Sequence, residues 1–215
     1  MNVVIAGATG LVGGIALRRL LGAQHDVVAI ARRPLGETDG RLRVVVTELD
    51  GLAQLAPCPA QAALCALGTT MARAGSREAF RKVDHEGVIA FARWARRGGA
   101  TTLVMVSSVG ASARSRTFYL RVKGEAEEAV AELGFSRLVL LRPGLLVGPR
   151  VERRPGERVA MAVIPALSPL LAGPLRRYRA LDAADVAAAM VTAATDSTPG
   201  RLVWHHDEIL AAARR

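Results

Sequence analysis

Apolar positions along the first two thirds of the chain follow two alternating spacings. Short unbroken apolar runs, such as Val3–Ala6 and Val27–Ala31, are typical of strands buried on both faces of a parallel sheet. Between these runs, apolar residues recur at helical spacing, as from Leu11 to Leu21, which predicts amphipathic helices. The predicted strands are 3–6, 27–31, 42–47, 62–67, 101–106 and 138–141, and the predicted helices are 11–22, 76–97 and 118–133.

Strands that alternate with helices predict an α/β fold, here a single Rossmann-type, doubly wound parallel sheet with right-handed crossovers. The expected strand order is 3-2-1-4-5-6, and a ligand is expected across the carboxyl ends of the first and fourth strands. After about Arg150 the pattern loosens, and only a helix that opens at Asp182 and a strand over 201–204 are predicted. We therefore expect a small C-terminal elaboration rather than an independent second domain.

A glycine-spaced turn follows the first predicted strand. Gly7 permits a tight turn, Gly10 lets a ligand approach the backbone, and Gly13 allows the next helix to pack closely on the strand. That helix would direct unpaired N–H groups and the positive end of its dipole at the turn, which is a seat for a pyrophosphate. The pattern predicts dinucleotide binding; the alternative is a strand-to-helix turn without a ligand.

Two arginines, Arg32 and Arg33, follow the second predicted strand, where enzymes that select NAD place an acidic residue on the ribose 2′-hydroxyl. The first acidic residue after this strand is Glu37. A guanidinium offers a planar set of donors to a 2′-phosphate, which a carboxylate would repel. We therefore expect NADP(H) rather than NAD as the cofactor; the alternative is that both arginines are only exposed surface residues.

Tyr119 and Lys123 lie four residues apart in a predicted helix, and therefore on one face and one turn apart. A free phenol has a pKa of about 10, too high for efficient proton exchange near neutrality, and a neighbouring ammonium favours its ionised form. The same ammonium can hydrogen-bond the ribose of a nicotinamide nucleotide. The pair predicts a proton-transfer site; the alternative is an ordinary Tyr and Lys on the surface of an amphipathic helix.

Two serines end the fifth predicted strand, at the edge of the sheet where the ligand is expected. A hydroxyl there can hydrogen-bond a substrate carbonyl oxygen, on which charge develops during hydride transfer. Ser108 is the first candidate for this catalytic role and Ser107 is the alternative. Both could instead cap the turn that follows.

These motifs resemble the short-chain dehydrogenase/reductases. Four more specific stretches, 65–70, 74–84, 118–125 and 142–144, resemble the atypical subgroup of that family, the HIV Tat-interactive protein group. The resemblance covers roughly residues 1–155 well and the remainder loosely. The sequence differs from better-known relatives at Leu67-Gly-Thr-Thr70, which replaces Asn-Asn-Ala-Gly, so a proton relay through that asparagine is absent.

The resemblance implies one NAD(P)-binding Rossmann domain over 1–215, in which 150–215 supply a small substrate or lid region. The resemblance places one arginine near the nicotinamide end of the cofactor; Arg154 is the first candidate, and Arg150 and Arg153 are the alternatives. By this resemblance the cofactor is bound by Thr9, Gly10, Leu11 and Val12 at its phosphates, Arg32 and Arg33 at its 2′-phosphate, Leu67, Gly68 and Thr69 at its riboses, Leu146 and Arg154 at its nicotinamide end, and the catalytic pair Tyr119 and Lys123.

The formal net charge of +10, from 29 basic and 19 acidic residues, raises the question of nucleic-acid binding. Lys82 and Lys123 are the only lysines, so the positive charge is nearly all arginine. These arginines are dispersed, and aromatic residues make up only 4% of the chain, which leaves no stacking platform. We therefore expect an arginine-rich surface and no nucleic-acid partner.

Two cysteines, Cys58 and Cys65, are too few for a disulfide framework or a metal cluster. His205 and His206 would point in opposite directions on a strand and lack a third ligand, so no metal site is expected. No secretory leader is expected, because the first apolar run is short and lacks a basic start. These features lead us to expect a location in the reducing cytoplasm.

The uncharged window Val159–Leu175 contains three prolines, which interrupt a spanning helix. We expect an apolar loop or lid there rather than stable membrane insertion.

Two functions follow from these residues. The first is an NADPH-dependent oxidoreductase that transfers a hydride to a small carbonyl substrate, with Tyr119 as proton donor, Lys123 as its partner and Ser108 at the carbonyl oxygen. The second is an NADPH-sensing regulatory module with little or no turnover. In that alternative the cofactor would order the apolar 159–175 segment, which would then contact a protein partner.

Overall fold

Seven strands form one parallel sheet in the computed structural model, which describes residues 1–148 and 173–215. The strands in chain order are β1 (Asn2–Ala6), β2 (Asp26–Ala31), β3 (Leu42–Val46), β4 (Ala62–Cys65), β5 (Thr102–Val106), β6 (Arg137–Leu141), β7 (Leu146–Val147), β8 (Leu181–Asp182) and β9 (Gly200–Trp204). The order across the sheet is β3-β2-β1-β4-β5-β6-β9, and β7 pairs with β8 apart from it. The predicted order is confirmed, and β9 extends the sheet beyond β6 in parallel.

Helices cover both faces of this sheet. They are α1 (Leu11–Gly22), α2 (Met71–Ala74), α3 (Arg77–Arg81), α4 (Val88–Arg97), α5 (Phe118–Ala131), α6 (Ala183–Thr195) and α7 (His206–Ala213). The sequence predicted α1, α5 and α6 with nearly these bounds. It missed α2 and the β7–β8 pair, because four-residue helices and two-residue strands are too short to show a period. It also missed the eight-residue α7.

Alternate residues of the central strands pack against different helices, as the two-residue period of a strand requires. Ile5 and Val104 belong to the cluster formed with α1 and α6. Cys65 and Met105 belong to the cluster formed with α4, on the opposite face. Both clusters are fully buried at these positions, so the sheet has an apolar core on each side and the doubly wound fold is confirmed.

The long helix predicted over 76–97 is interrupted in the structure. Ser76 caps the start of α3, since its hydroxyl accepts a hydrogen bond from the N–H of Ala79 at 3.1 Å. A wide π-helical turn, Lys82–Gly87, then separates α3 from α4. Such turns are frequent at functional sites. Asp84 lies within this turn and is fully buried.

The buried side chain of Arg137, in β6, binds the C-terminal end of α6 and the loop that follows it. Its Nε donates to the carbonyl oxygen of Ala193 at 3.2 Å, and its Nη1 donates to the carbonyl oxygen of Thr198. Its Nη2 pairs with Oδ2 of Asp196 at 2.9 Å. Only 2% of Arg137 is exposed, so these contacts satisfy a charge that would otherwise be costly to bury.

Replacing Arg137 with alanine should lower the free energy of unfolding by about 3 kcal/mol, because two carbonyl groups and a carboxylate lose their donor. Urea unfolding followed by circular dichroism measures this change. Arg43→Ala is the matched control, since Arg43 is exposed on β3, and it should change stability by less than about 0.5 kcal/mol. Equal effects of the two substitutions would contradict the assignment.

Candidate functional site

The turn between β1 and α1 has the close packing that its glycines predict. Gly7 has a φ of +88°, and a Cβ there would lie 2.4 Å from the carbonyl oxygen of Ala66. A Cβ at Gly13 would lie 2.2 Å from the carbonyl oxygen of Gly7, whereas a Cβ at Gly10 meets only that oxygen, at 3.2 Å. Gly7 and Gly13 therefore serve packing, and Gly10 leaves the backbone open to a ligand.

A groove of about 460 Å³ opens beside this turn, at the carboxyl ends of β1, β2 and β4. This is the edge at which a ligand is expected in an open parallel sheet, and the volume lies in the range of small-molecule sites. The helix α1 begins here with no acidic residue in its first turn, so its N-terminal N–H groups can receive an anion. Of the expected cofactor residues, the groove is lined by Gly7, Thr9, Gly10, Arg32, Arg33, Leu67, Gly68 and Thr69.

Positive charge dominates the described lining of the groove. Arg32 and Arg33 line it after β2, Arg73 of α2 lines it as well, and none of the described lining residues is acidic. Glu37, the first acidic residue after β2, is engaged elsewhere by Arg18 of α1, at 3.0 Å. The groove is therefore suited to an anionic ligand.

Tyr119 and Lys123 lie one turn apart on α5, as their spacing predicts. The ring of Tyr119 contacts Phe80 of α3, with 5.4 Å between ring centroids. Lys123 is only 4% exposed, so its ammonium is taken out of water. An ordinary surface position for Lys123 is therefore excluded.

Asp84 connects this lysine to the loop that follows β4. Its Oδ1 lies 2.8 Å from the Nζ of Lys123, and its Oδ2 accepts a hydrogen bond from the N–H of Thr69 at 2.8 Å. The backbone of Gly68 covers the pair, since a Cβ there would lie 3.4 Å from Oδ1 of Asp84 and 3.5 Å from Nζ of Lys123. One carboxylate thus fixes both the groove-lining loop and the lysine.

The charge state of Lys123 follows from two opposing effects. Burial by itself would lower the pKa of the Lys123 ammonium, but the carboxylate of Asp84, helped by Tyr119, outweighs burial and raises this pKa above its ordinary value. Lys123 is therefore positively charged at neutral pH, as its expected role requires.

The two serines after β5 differ in their surroundings. Ser107 is 6% exposed, and its hydroxyl has no hydrogen-bond partner among residues 1–148 and 173–215. Ser108 is less buried, and its hydroxyl donates to the carbonyl oxygen of Val109 at a long 3.4 Å. Neither hydroxyl has a short hydrogen bond within the described residues, so Ser107 stays a candidate beside Ser108.

Cys65 lies beneath the loop, fully buried at the end of β4. Burial raises the pKa of the Cys65 thiol to about 11, so the thiol is protonated at neutral pH. Cys65 is therefore a core residue with an unreactive thiol.

Several expected residues lie away from the groove or outside the described ranges. Leu11, Val12 and Gly13 begin α1 behind the turn, and Leu146 lies in β7, packed against the core on the α1 side. A Cβ at Gly148 would lie 3.3 Å from the side chain of Leu11, so the segment after β7 reaches the start of α1. Arg154, its competitors Arg150 and Arg153, and 159–172 of the apolar window lie outside the described residues.

A second buried ion pair joins α5 to the end of β6. Arg142 holds Glu127 with two hydrogen bonds, one of them 2.9 Å from its Nε to Oε1. Glu127 is 1% exposed, and the N–H of Arg142 donates to the carbonyl oxygen of Trp204 in β9. This pair sets the position of α5, and with it that of Tyr119, relative to the sheet.

The sequence analysis did not assign Asp84 or Arg73 to the site. Asp84 carried a usable signal, because it lies four residues after Phe80 and four before Val88, in the middle of an apolar stripe. A carboxylate in such a stripe predicts a buried partner. Arg73 carried no such signal, since the helix that presents it has only four residues.

Comparison with known proteins identifies the relatives of this chain. The model of the NAD dependent epimerase/dehydratase family matches residues 3–203. Protein fmp52, mitochondrial, of Emericella nidulans is 39% identical over 170 residues, which cover 74% of this chain and 72% of the fungal protein. Protein HTATIP2 of Rattus norvegicus is 38% identical over 166 residues, which cover 74% of this chain and 68% of the rat protein.

Among solved structures, human epimerase family protein SDR39U1 with NADPH matches with a TM-score of 0.65 and 18% sequence identity. The match covers 95% of this chain and 74% of the human one. The family model and the rat relative confirm the resemblance to the atypical short-chain dehydrogenase/reductases, a family of the NAD(P)-binding Rossmann type. The likeness to the human structure confirms the Rossmann fold.

The expected cytoplasmic location is wrong, because fungal relatives of this chain are named mitochondrial. The expectation depended on Cys58 and Cys65, which are free and buried. Two buried thiols indicate only that no disulfide forms, and they do not distinguish one reducing compartment from another. Within the described ranges, no helix has both the length and the apolarity to cross a membrane.

Alanine at two of the glycines should have different consequences. Gly13→Ala should lower stability by about 3 kcal/mol, because its Cβ would overlap the carbonyl group of Gly7. Gly10→Ala should fold, since Gly10 has a φ of −85°, but the methyl group would occupy ligand space and weaken NADPH binding at least about tenfold. Thermal unfolding and calorimetric titration separate the two effects. An unstable Gly10→Ala protein would contradict this division of roles.

Removing the carboxylate of Asp84 should leave the amine of Lys123 buried without its ionic partner. Asp84→Ala should therefore lower the free energy of unfolding by about 3–5 kcal/mol at neutral pH, and adding Lys123→Met should restore part of the loss. Because the pKa of Lys123 is raised on folding, the pair's contribution is present at neutral pH and is lost as pH rises through the folded pKa, which lies above the ordinary value for a lysine. Urea unfolding of both variants tests this, and equal stability of the single and double variants would contradict it.

Proposed function

We propose that this chain, which belongs to the NAD-dependent epimerase/dehydratase family, is an NADPH-dependent oxidoreductase that reduces a small carbonyl substrate. The observation that carries the proposal is the Lys123–Asp84 ion pair of 2.8 Å, buried beside the groove and one helical turn from Tyr119. A charged lysine in the interior is costly, and its position beside a phenol supports a role in proton transfer.

The groove supports a dinucleotide that carries an additional phosphate. The open backbone at Gly10 and the start of α1 would receive the pyrophosphate. Arg32 and Arg33 would receive the 2′-phosphate, since no acidic residue of the described lining competes with them. Thr47 and Leu49, which line the groove after β3, would border the adenine.

A nicotinamide cofactor held in this groove would supply the hydride that reduces the substrate carbon. The residues of the chain then act on the carbonyl oxygen, which gains negative charge as the carbon is reduced. The hydroxyl of Tyr119 donates a proton to this oxygen, and the ammonium of Lys123 stabilises the phenolate that remains. The hydroxyl of Ser108, or the buried hydroxyl of Ser107, hydrogen-bonds the same oxygen.

Asp84 has a positioning role in this scheme. It keeps Lys123 charged and holds the N–H of Thr69 at the edge of the groove. The loop that borders the cofactor and the lysine that serves Tyr119 are therefore fixed by the same carboxylate.

Replacing Tyr119 with phenylalanine should lower turnover at least about 100-fold, because the proton donor is lost, while the dissociation constant for NADPH changes by less than about twofold. Consumption of NADPH with a panel of aldehydes and ketones measures turnover, and calorimetry measures binding. Tyr178→Phe is the matched control, since Tyr178 is the only other tyrosine and is exposed.

Full turnover by the Tyr119→Phe protein would overturn the assigned mechanism. Tight NADPH binding by the unmodified protein, without turnover of any compound in the panel, would instead favour the sensing alternative.

A further inference from the structure

We propose that Arg73 is a third arginine of the cofactor's 2′-phosphate site, and that it contributes to the preference for NADPH over NADH. This inference rests on the proposed function, because it assumes that a nicotinamide dinucleotide occupies the groove. It assigns a specificity-determining role to a residue of the short helix α2, which the sequence pattern did not predict.

The topology brings Arg73 to the groove from the side opposite Arg32 and Arg33. The strand β1 lies between β2 and β4 in the sheet. Arg32 and Arg33 follow β2, whereas Arg73 is presented by the connection that follows β4, and all three line the same groove. A phosphate held between these two walls would have guanidinium groups on both sides.

The backbone around Arg73 is held in place at both ends of α2. The hydroxyl of Thr70 caps the helix and accepts a hydrogen bond from the N–H of Arg73 at 3.3 Å. Gly75 ends the helix with a φ of +79°, and its N–H donates to the carbonyl oxygen of Met71 at 3.1 Å. The arginine is therefore carried by a fixed turn rather than by an unrestrained loop.

The charges in the groove are not neutralised by the described part of the protein. Arg32, Arg33 and Arg73 make no ion pair with any described residue, whereas Arg18 and Arg81 on neighbouring helices are each paired with a carboxylate. Three like charges around one groove repel one another and so favour a bound anion of high charge. A phosphate monoester carries about −1.5 to −2 charges near neutral pH and meets this requirement.

The pyrophosphate is a poorer match for Arg73 than the 2′-phosphate. The start of α1 already offers it backbone N–H groups, with no acidic residue in the first turn. We therefore assign the guanidinium of Arg73 to the 2′-phosphate, which NADPH has and NADH lacks. If Arg73 instead stacked on the adenine, it would contribute equally to both nucleotides, since both contain that ring.

The test is calorimetric titration of the full chain with NADPH, NADH and 2′,5′-ADP. Arg73→Met should weaken binding of NADPH and of 2′,5′-ADP by about tenfold and binding of NADH by less than about twofold. Arg73→Lys should retain part of the NADPH affinity, because it keeps the charge but not the planar donor set. Arg93→Met is the matched control, since Arg93 is exposed on α4, lies outside the groove lining and removes the same charge.

Three results would overturn the inference. An equal loss for NADPH and NADH would place Arg73 at the pyrophosphate or the adenine, and an unchanged affinity for NADPH would leave it without a role in binding. An equal loss in the Arg93→Met protein would show a general charge effect. If the unmodified protein binds none of the three nucleotides, the proposed function itself fails, which is distinct from each of these results.

Discussion

The candidate site depends on one buried ion pair, between the ammonium of Lys123 and the carboxylate of Asp84. A lysine as buried as this one would lose its charge without a partner, since desolvation disfavours the ionised form. The second oxygen of Asp84 accepts from the N–H of Thr69, so the carboxylate also has a fixed orientation. The carboxylate of Asp84 therefore joins three segments: the loop after β4, the π-helical turn and α5. Its loss would disturb the groove wall and the proton-transfer residues together.

The glycine turn provides the other fixed point of the site. Gly13 packs against the carbonyl group of Gly7, and Gly7 packs against that of Ala66, which follows β4. The contact between Gly7 and Ala66 sets the distance between the loops after β1 and β4, which are two walls of the groove. Because Ala66 is three residues before Thr69, the packing of the glycine turn and the ion pair of Asp84 act on one short loop. The pyrophosphate seat and the lysine are thus positioned relative to each other by backbone contacts rather than by long side chains.

The features that the sequence predicted are those with a local signal. The strand order followed from alternating apolar runs, and the groove followed from three glycines and two arginines next to strands. Asp84 and Lys123 are far apart along the chain, so their contact depends on how α5 packs against the turn after α3, which no local pattern specifies. Arg73 was missed for a different reason: a four-residue helix has no period to detect. Ser107 and Ser108 could not be separated, because they follow the end of β5, where the alternation of strand faces no longer applies.

The arginines are dispersed along the sequence, but their surroundings in the structure differ. Arg137 and Arg142 are largely buried and hold loops and helices through carboxylates and carbonyl groups, which is a structural use of the guanidinium. Around the groove the same side chain has no carboxylate partner in the described structure, so no described residue relieves the repulsion among these arginines. An anion that binds between these arginines removes that repulsion as well as adding its own hydrogen bonds. The unpaired charges therefore raise the electrostatic free energy of the empty groove relative to that of the groove with a bound phosphate. In this way the basic composition of the chain favours the binding of an anionic ligand at the groove.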